Sequence, residues 1–212
     1  TVLQTAGLEI NDKDSASDED ATVNDIVDIT TPVAQGSTVT FENKVINNGN
    51  GSDTFEIKIA AAGNTFPAGT VFQFFKSDGA TPLSDTNADG SPDTGLVAAG
   101  TEEKIVVKAI LPSSFSGNTG YEFFTEATSK FNGGVVDTVS NKLSQILQST
   151  VDATNDTSVV GGATPSDGLG AGAEASPVRT IAVDPSQVAT FNLIVNNTSV
   201  ISDTYDLEVS TD

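Results

Sequence analysis

Asp85-Thr86-Asn87-Ala88-Asp89-Gly90-Ser91-Pro92-Asp93 places oxygen-bearing side chains at alternate positions of one short stretch. Side chains spaced this way can converge on a single cation, and Gly90 supplies the sharp turn that such a loop needs. A hard ion that takes about six to eight oxygen ligands suits the pattern, which points to Ca2+. The expected ligands are the side chains of Asp85, Asn87, Asp89 and Asp93, with Ser91 offering its backbone carbonyl. The competing reading is a hairpin loop in which Asp, Asn and Gly are favoured for turn geometry alone. A site of this kind falls at the weak end of the calcium range, about 0.1–1 mM. It would fill outside cells and stiffen the loop between two strands.

Most other chemistry is excluded by composition. The chain has no Cys and no His, which removes thiol nucleophiles, Ser-His-Asp triads and Zn or Cu sites. No phosphate-binding glycine loop or nucleophile elbow is present, so no catalytic residue is expected and the chain does not read as an enzyme. Lys44 and Asn141, with Glu56 or Glu126, supply the residue types of an intramolecular Lys–Asn bond, a combination that any sandwich offers many times. N-x-S/T sequons stand at Asn50, Asn155, Asn196 and Asn197, matches short enough to arise by chance. With 29 acidic residues against 9 basic ones the net charge is −20, which repels phosphate backbones and argues against nucleic acid as a partner. No run of 18 apolar residues is long enough to span a membrane as a helix.

The elements that must position the loop read as strands. Period-two alternation recurs over Val23–Ile29, Thr38–Ile46, Thr54–Ala60, Thr70–Lys76, Glu102–Leu111, Tyr121–Ser129 and Val135–Lys142. Asn48-Gly49, Asn50-Gly51 and Asn132-Gly133 are turn dipeptides between them. Short strands punctuated by turns predict an all-β, two-sheet antiparallel sandwich, with most of the 11 Phe residues in its core. The one helix-like stretch, Lys142–Ser149, is too short to stand as a helix.

A tandem repeat overlies this pattern. Val33–Ile59 returns 150 positions later as Val183–Val209, with eight identities in 27 positions: Val33/Val183, Thr40/Thr190, Phe41/Phe191, Val45/Val195, Asn47/Asn197, Ser52/Ser202, Asp53/Asp203 and Thr54/Thr204. The expected organisation is an acidic N-terminal segment over 1–21, a sandwich over 22–147, a Gly/Ala-rich linker over 148–176 and an incomplete second β repeat over 177–212. In the second repeat, strands are expected at Val178–Val183, Val188–Asn196 and Thr204–Ser210. The N-terminal segment Thr1–Asp20, which has no counterpart in the first sandwich, is the candidate donor to another copy, with Thr1–Ile10 as its strand-like part.

The nine-residue loop resembles the calcium loops of thrombospondin type three repeats and dockerins, and departs from an EF-hand in having Leu96 at the twelfth position. From Ile29 to Leu143, strings such as GSTVTFENKVINNGNGSDTFEI and VAAGTEEKIVVKAILP resemble a repeat unit of bacterial cell-surface proteins. That resemblance implies Ig-like sandwiches in long secreted or envelope-anchored chains, and it carries no catalytic residues over. The expected role is therefore an extracellular or cell-surface building block stiffened by Ca2+, a subunit of a filament, surface layer or adhesin stalk. Its partners would be copies of itself, joined head-to-tail by strand complementation, or neighbouring repeats. A glycan-binding adhesin module and an accessory domain of a larger secreted protein are the alternatives. Sugar sites usually present exposed aromatics, and with no Trp and only Tyr121 and Tyr205 beside the Phe set, support for surface glycans is thin.

Overall fold

The computed structural model describes residues 3–12, 26–114, 120–149, 151–154, 180–191, 193–197, 199 and 201–209. Over these residues the chain is all-β, with no helix. It divides into two compact units, Thr1–Ile146 and Leu147–Asp212.

Unit 1 is an antiparallel β-sandwich of the Ig-like kind. One sheet has the order β1 (Leu8–Asp12), β4 (Thr38–Asn47), β8 (Glu102–Ile110), β6 (Val71–Lys76). The facing sheet has the order β2 (Ile26–Ile29), β10 (Val136–Leu143), β9 (Tyr121–Ser129), β5 (Asp53–Ile59), β7 (Asp93–Val97). Among the described residues the ladders within these two sheets are antiparallel except β2 on β10, where Ile26 pairs with Ser140. The short strands β3 (Val33–Ala34) and β11 (Ile146–Leu147) pair with each other.

Alternation along the strands builds the core. One apolar cluster gathers Val39, Phe41, Phe66, Val107, Phe123 and Leu143, and a second gathers Ile10, Val45, Phe55, Ile57, Ile105 and Val139. Phe41 stands edge-on to Phe123 with ring centroids 5.0 Å apart, in the orientation that aromatic quadrupoles favour. Buried Asn43, which lies between Phe41 and Val45 on β4, donates from Nδ2 to Asn141 Oδ1 at 3.0 Å, and Asn141 Nδ2 donates to Thr125 Oγ1 at 3.0 Å. Strand alternation therefore brings Asn43, not Lys44, to Asn141. Lys44 Nζ lies 3.7 Å from Glu102 Oε2.

Several sequence expectations are corrected. Leu8–Asp12 is not apart from the first sandwich: it is β1, paired with β4 from Leu8↔Asn47 to Asp12↔Asn43, and Ile10 is buried in the core. Its five residues carry three acidic or amide side chains, which hides the alternation from a hydropathy reading. The stretch read as a linker includes β12 (Val151–Thr154), paired with β13 (Ile194–Asn197). Lys142–Ser149, read as too short to stand as a helix, holds the end of β10 and the short β11. The expectations for residues 23–25, for the rest of the acidic segment over 13–20 and for the linker over 155–176 lie outside the described residues. Phe131, a turn residue 52% exposed, is an exception to the Phe core.

Candidate functional site

The nine-residue stretch Asp85–Asp93 forms the last part of the connection from β6 of one sheet to β7 of the other, and its final residue opens β7. Its base is closed where Asp93 N–H donates to the Ser84 carbonyl at 3.0 Å. Inside it, each acidic or amide side chain caps the backbone a few residues on, the local bonding that makes Asp and Asn turn formers. Asp85 accepts from Asp89 N–H at 3.1 Å and from Gly90 N–H at 2.7 Å. Asn87 Oδ1 accepts from Asp89 N–H at 3.1 Å, and Asp89 Oδ1 accepts from Ser91 N–H at 3.0 Å. Gly90 takes φ +97°, open to glycine at little cost, and Ala88 sits at φ 61°, where an L residue is strained by roughly 1–2 kcal/mol. The loop's own hydrogen bonds hold that strain.

Asp85, Asn87 and Asp89 are thus drawn into one turn, while Asp93 is not directed there. Asp93 lies on β7, 2% exposed, and accepts from Thr86 N–H at 2.7 Å, Thr86 Oγ1 at 2.6 Å and Gly95 N–H at 2.7 Å. It fixes the loop's entry and exit. Ser91, at the far side of the turn, is half-buried. Among the described residues no group of three or more His, Cys, Asp and Glu side chains stands close enough to hold a metal ion. The donor chemistry fits a hard cation at Asp85, Asn87 and Asp89, but Asp93 is committed elsewhere.

A residue that no spacing rule could find completes the loop. Lys130, in the turn after β9, places Nζ 2.6 Å from Asp89 Oδ2 and 3.2 Å from Glu56 Oε2. The Lys130 ammonium, hydrogen-bonded to the carboxylate, is the main reason that Asp89 titrates below the usual Asp range; Lys130 is raised in turn by Asp89 and then Glu56. Both groups face solvent, so the pair positions the loop more than it stabilises the fold. Nearby, Asp78 is held down to about 2 by the Thr81 hydroxyl and by the N–H groups of Thr81 and Ala80.

No family model matches the chain, and no curated protein is similar to it. Among solved structures, the N-terminal domain of PorA is similar at a TM-score of 0.43 and 18% identity, over 66% of this chain and 97% of that one. AggA, the major subunit of aggregative adherence fimbriae type I from Escherichia coli, is similar at 0.34 and 12% identity, over 68% and 97%. Self-complemented MyfA, the major subunit of Myf fimbriae from Yersinia enterocolitica, is similar at 0.28 and 10% identity, over 64% and 97%.

The second feature of the molecule that could serve a function is the repeat, and it extends from sequence to bonding. In unit 1, Asn47 Oδ1 accepts from Gly49 N–H at 2.9 Å and its Nδ2 donates to the Gly51 carbonyl at 2.9 Å. In unit 2, Asn197 Oδ1 accepts from Ser199 N–H at 2.9 Å and its Nδ2 donates to the Ile201 carbonyl at 2.7 Å. Asp53 accepts from Thr54 N–H at 2.8 Å and Ser129 Oγ at 2.5 Å; Asp203 accepts from Thr204 N–H at 2.8 Å and from Ser149 Oγ. The turn before β4 recurs as well, with Gly36 at φ 72° and its counterpart Ser186 at φ 71°. The ladders agree too. Leu8, Glu9, Ile10 and Asn11 face Asn47, Ile46, Val45 and Lys44; Val151, Asp152, Ala153 and Thr154 face Asn197, Asn196, Val195 and Ile194, their counterparts. So β12 holds in unit 2 the place that β1 holds in unit 1. The repeat begins at this strand, ahead of the stretch where sequence identity is densest.

Proposed function

We propose that the chain is a structural module of an extracellular or cell-surface assembly, a repeating β-sandwich whose β6–β7 loop is braced by Ca2+. The observation that carries this reading is the recurrence of one register and one set of turn-bracing bonds in both units, which supports a repeated building block. The absence of Cys and His narrows the chemistry open to the chain and suits a load-carrying role. Calcium would sit against Asp85, Asn87 and Asp89, where oxygen donors gather, and would compete with Lys130 for Asp89. Its contribution would be electrostatic stiffening of a loop that links the two sheets.

Calcium titration into the purified chain, followed by thermal melting, tests the reading. Millimolar Ca2+ is expected to raise the melting temperature of unit 1 by a few degrees, with saturation at about 0.1–1 mM. Asp85→Asn should remove the effect, and Lys130→Ala should lower the calcium needed. A melt indifferent to calcium, together with no heat of binding by calorimetry, would leave the loop as a turn and nothing more.

A further inference from the structure

Three Asn-Gly dipeptides stand in the chain, Asn48-Gly49, Asn50-Gly51 and Asn132-Gly133. All three Asn are exposed and lie between strands, so exposure does not tell them apart. Their hydrogen bonds do. Asn48 donates from Nδ2 to Glu9 Oε2 at 3.0 Å, and Gly49 N–H donates to Asn47 Oδ1 at 2.9 Å. Asn50 Oδ1 accepts from Thr5 N–H at 2.7 Å, while its Nδ2 donates to the Leu3 carbonyl at 2.9 Å. Residues 3–9 thus hold both side chains. They also fill the space beside them: a Cβ on Gly49 would come within 2.6 Å of the Thr5 carbonyl oxygen, and one on Gly51 within 2.7 Å of the Gln4 side chain.

Asn132-Gly133, in the turn from β9 to β10, has none of these ties. Asn132 Nδ2 and Gly133 N–H have no partner among the described residues, and a Cβ on Gly133 would meet nothing within 4 Å. The side chain's one bond is from Gly134 N–H to Asn132 Oδ1 at 3.1 Å. That bond spans Gly133 and folds the amide carbon of Asn132 back toward the Gly133 nitrogen.

We propose that Asn132 is a self-modifying site, which converts to aspartate and isoaspartate through a cyclic imide while the fold spares Asn48 and Asn50. Gly133 gives up its amide proton, and its nitrogen attacks Asn132 Cγ. With no Cβ on glycine, the approach is unhindered. The charge that builds on Oδ1 meets the Gly134 N–H already aimed at it. The new N–C bond closes a succinimide ring, and the Cγ–Nδ2 bond breaks to release ammonia, which carries off the proton. Water then opens the ring at either carbonyl. One opening leaves an aspartate; the other threads the main chain through the side-chain carbons and lengthens the turn. The reaction needs no metal, no partner and no second unit.

The test ages the whole chain at mildly alkaline pH and follows each Asn-Gly peptide by mass, with isoaspartate located in the same peptides. Asn132 is expected to convert about tenfold or more faster than Asn48 or Asn50, which must first break their bonds to residues 3–9. In strong urea those bonds are gone, and the three rates should converge. Gly133→Ala should slow conversion at Asn132 several-fold by setting a methyl group beside the attacking nitrogen. Gly133 has neither a positive φ nor a crowding neighbour, so the fold accepts that change. Conversion at Asn48 or Asn50 as fast as at Asn132 in the folded chain overturns the proposal. So does an Asn132 that stays intact when folded and converts only in urea. A ranking that persists unchanged in urea overturns it too, because local sequence and not the fold would then set the rates.

Discussion

Residues 33–59 and 183–209 carry one pattern into two outcomes. In unit 1 the pattern yields a ten-residue β4 and a seven-residue β5, both with buried apolar faces. In unit 2 it yields β13, four residues long, and no strand over 203–209. The local chemistry is the same, since the Asn and Asp braces form in both. The difference lies in neighbours. β4 pairs with β8 from Thr38 to Ile46, whereas β13 extends only as far as β12, its one partner among the described residues. β5 takes its ladders from β9 and β7, whose counterparts unit 2 lacks among its described residues. Turns are thus set by local side-chain bonds, while strands exist where a ladder partner exists.

The largest break in this comparison should come from the shared Phe. Phe41→Ala removes a fully buried ring that contacts Phe123 and Phe66, and should cost unit 1 about 3–5 kcal/mol in urea unfolding. Phe191→Ala trims a side chain already half in water, and should cost below about 1 kcal/mol. Similar costs for the two would mean that unit 2 buries its face in solution without any partner.

A middle effect is expected at the shared Asn. Asn47 is fully buried and makes a third bond that Asn197 is not seen to make, donating from Nδ2 to the Val97 carbonyl of β7 at 2.9 Å. Asn47→Ala strands the Val97 carbonyl along with the Gly51 carbonyl and Gly49 N–H, at about 2–3 kcal/mol. Asn197→Ala acts on an exposed turn and should stay within about 1 kcal/mol, read from exchange of the β12–β13 amides.

The same division explains what could be read ahead of the structure. Tyr121–Ser129 is a strand at the bounds that alternation predicts, because a half-buried face writes itself into the residues. β1 is read as a donor strand for another copy rather than a strand of its own sandwich because LEIND mixes acidic and amide residues with one core residue, Ile10, so its place depends on pairing with β4. β7 is missed because Asp93 reads as a metal ligand, although its carboxylate clamps Thr86. The Asp/Asn/Gly loop is legible as a turn from its own residues. Lys130 is not, since it reaches Asp89 only through the pairing of β5 with β9, which sets Glu56 opposite Thr128.

The finest test exchanges one residue between the repeats. Gly36 and Ser186 occupy matching turns with φ near +72°, and each turn is closed by a bond across it: Ser37 N–H to the Ala34 carbonyl at 3.3 Å, and Gln187 N–H to the Asp184 carbonyl at 3.0 Å. A Cβ on Gly36 would come no closer than 3.8 Å to any neighbour, so substitution there probes backbone conformation and not packing. Gly36→Ser should therefore cost unit 1 about 1 kcal/mol, the penalty of holding an L residue in the left-handed region. Ser186→Gly should relieve the same strain in unit 2, offset in part by the greater freedom of glycine in the unfolded chain. If Gly36→Ser proves neutral in thermal melts, the left-handed turn is not held in unit 1, and the structural match between the two turns fails at that residue.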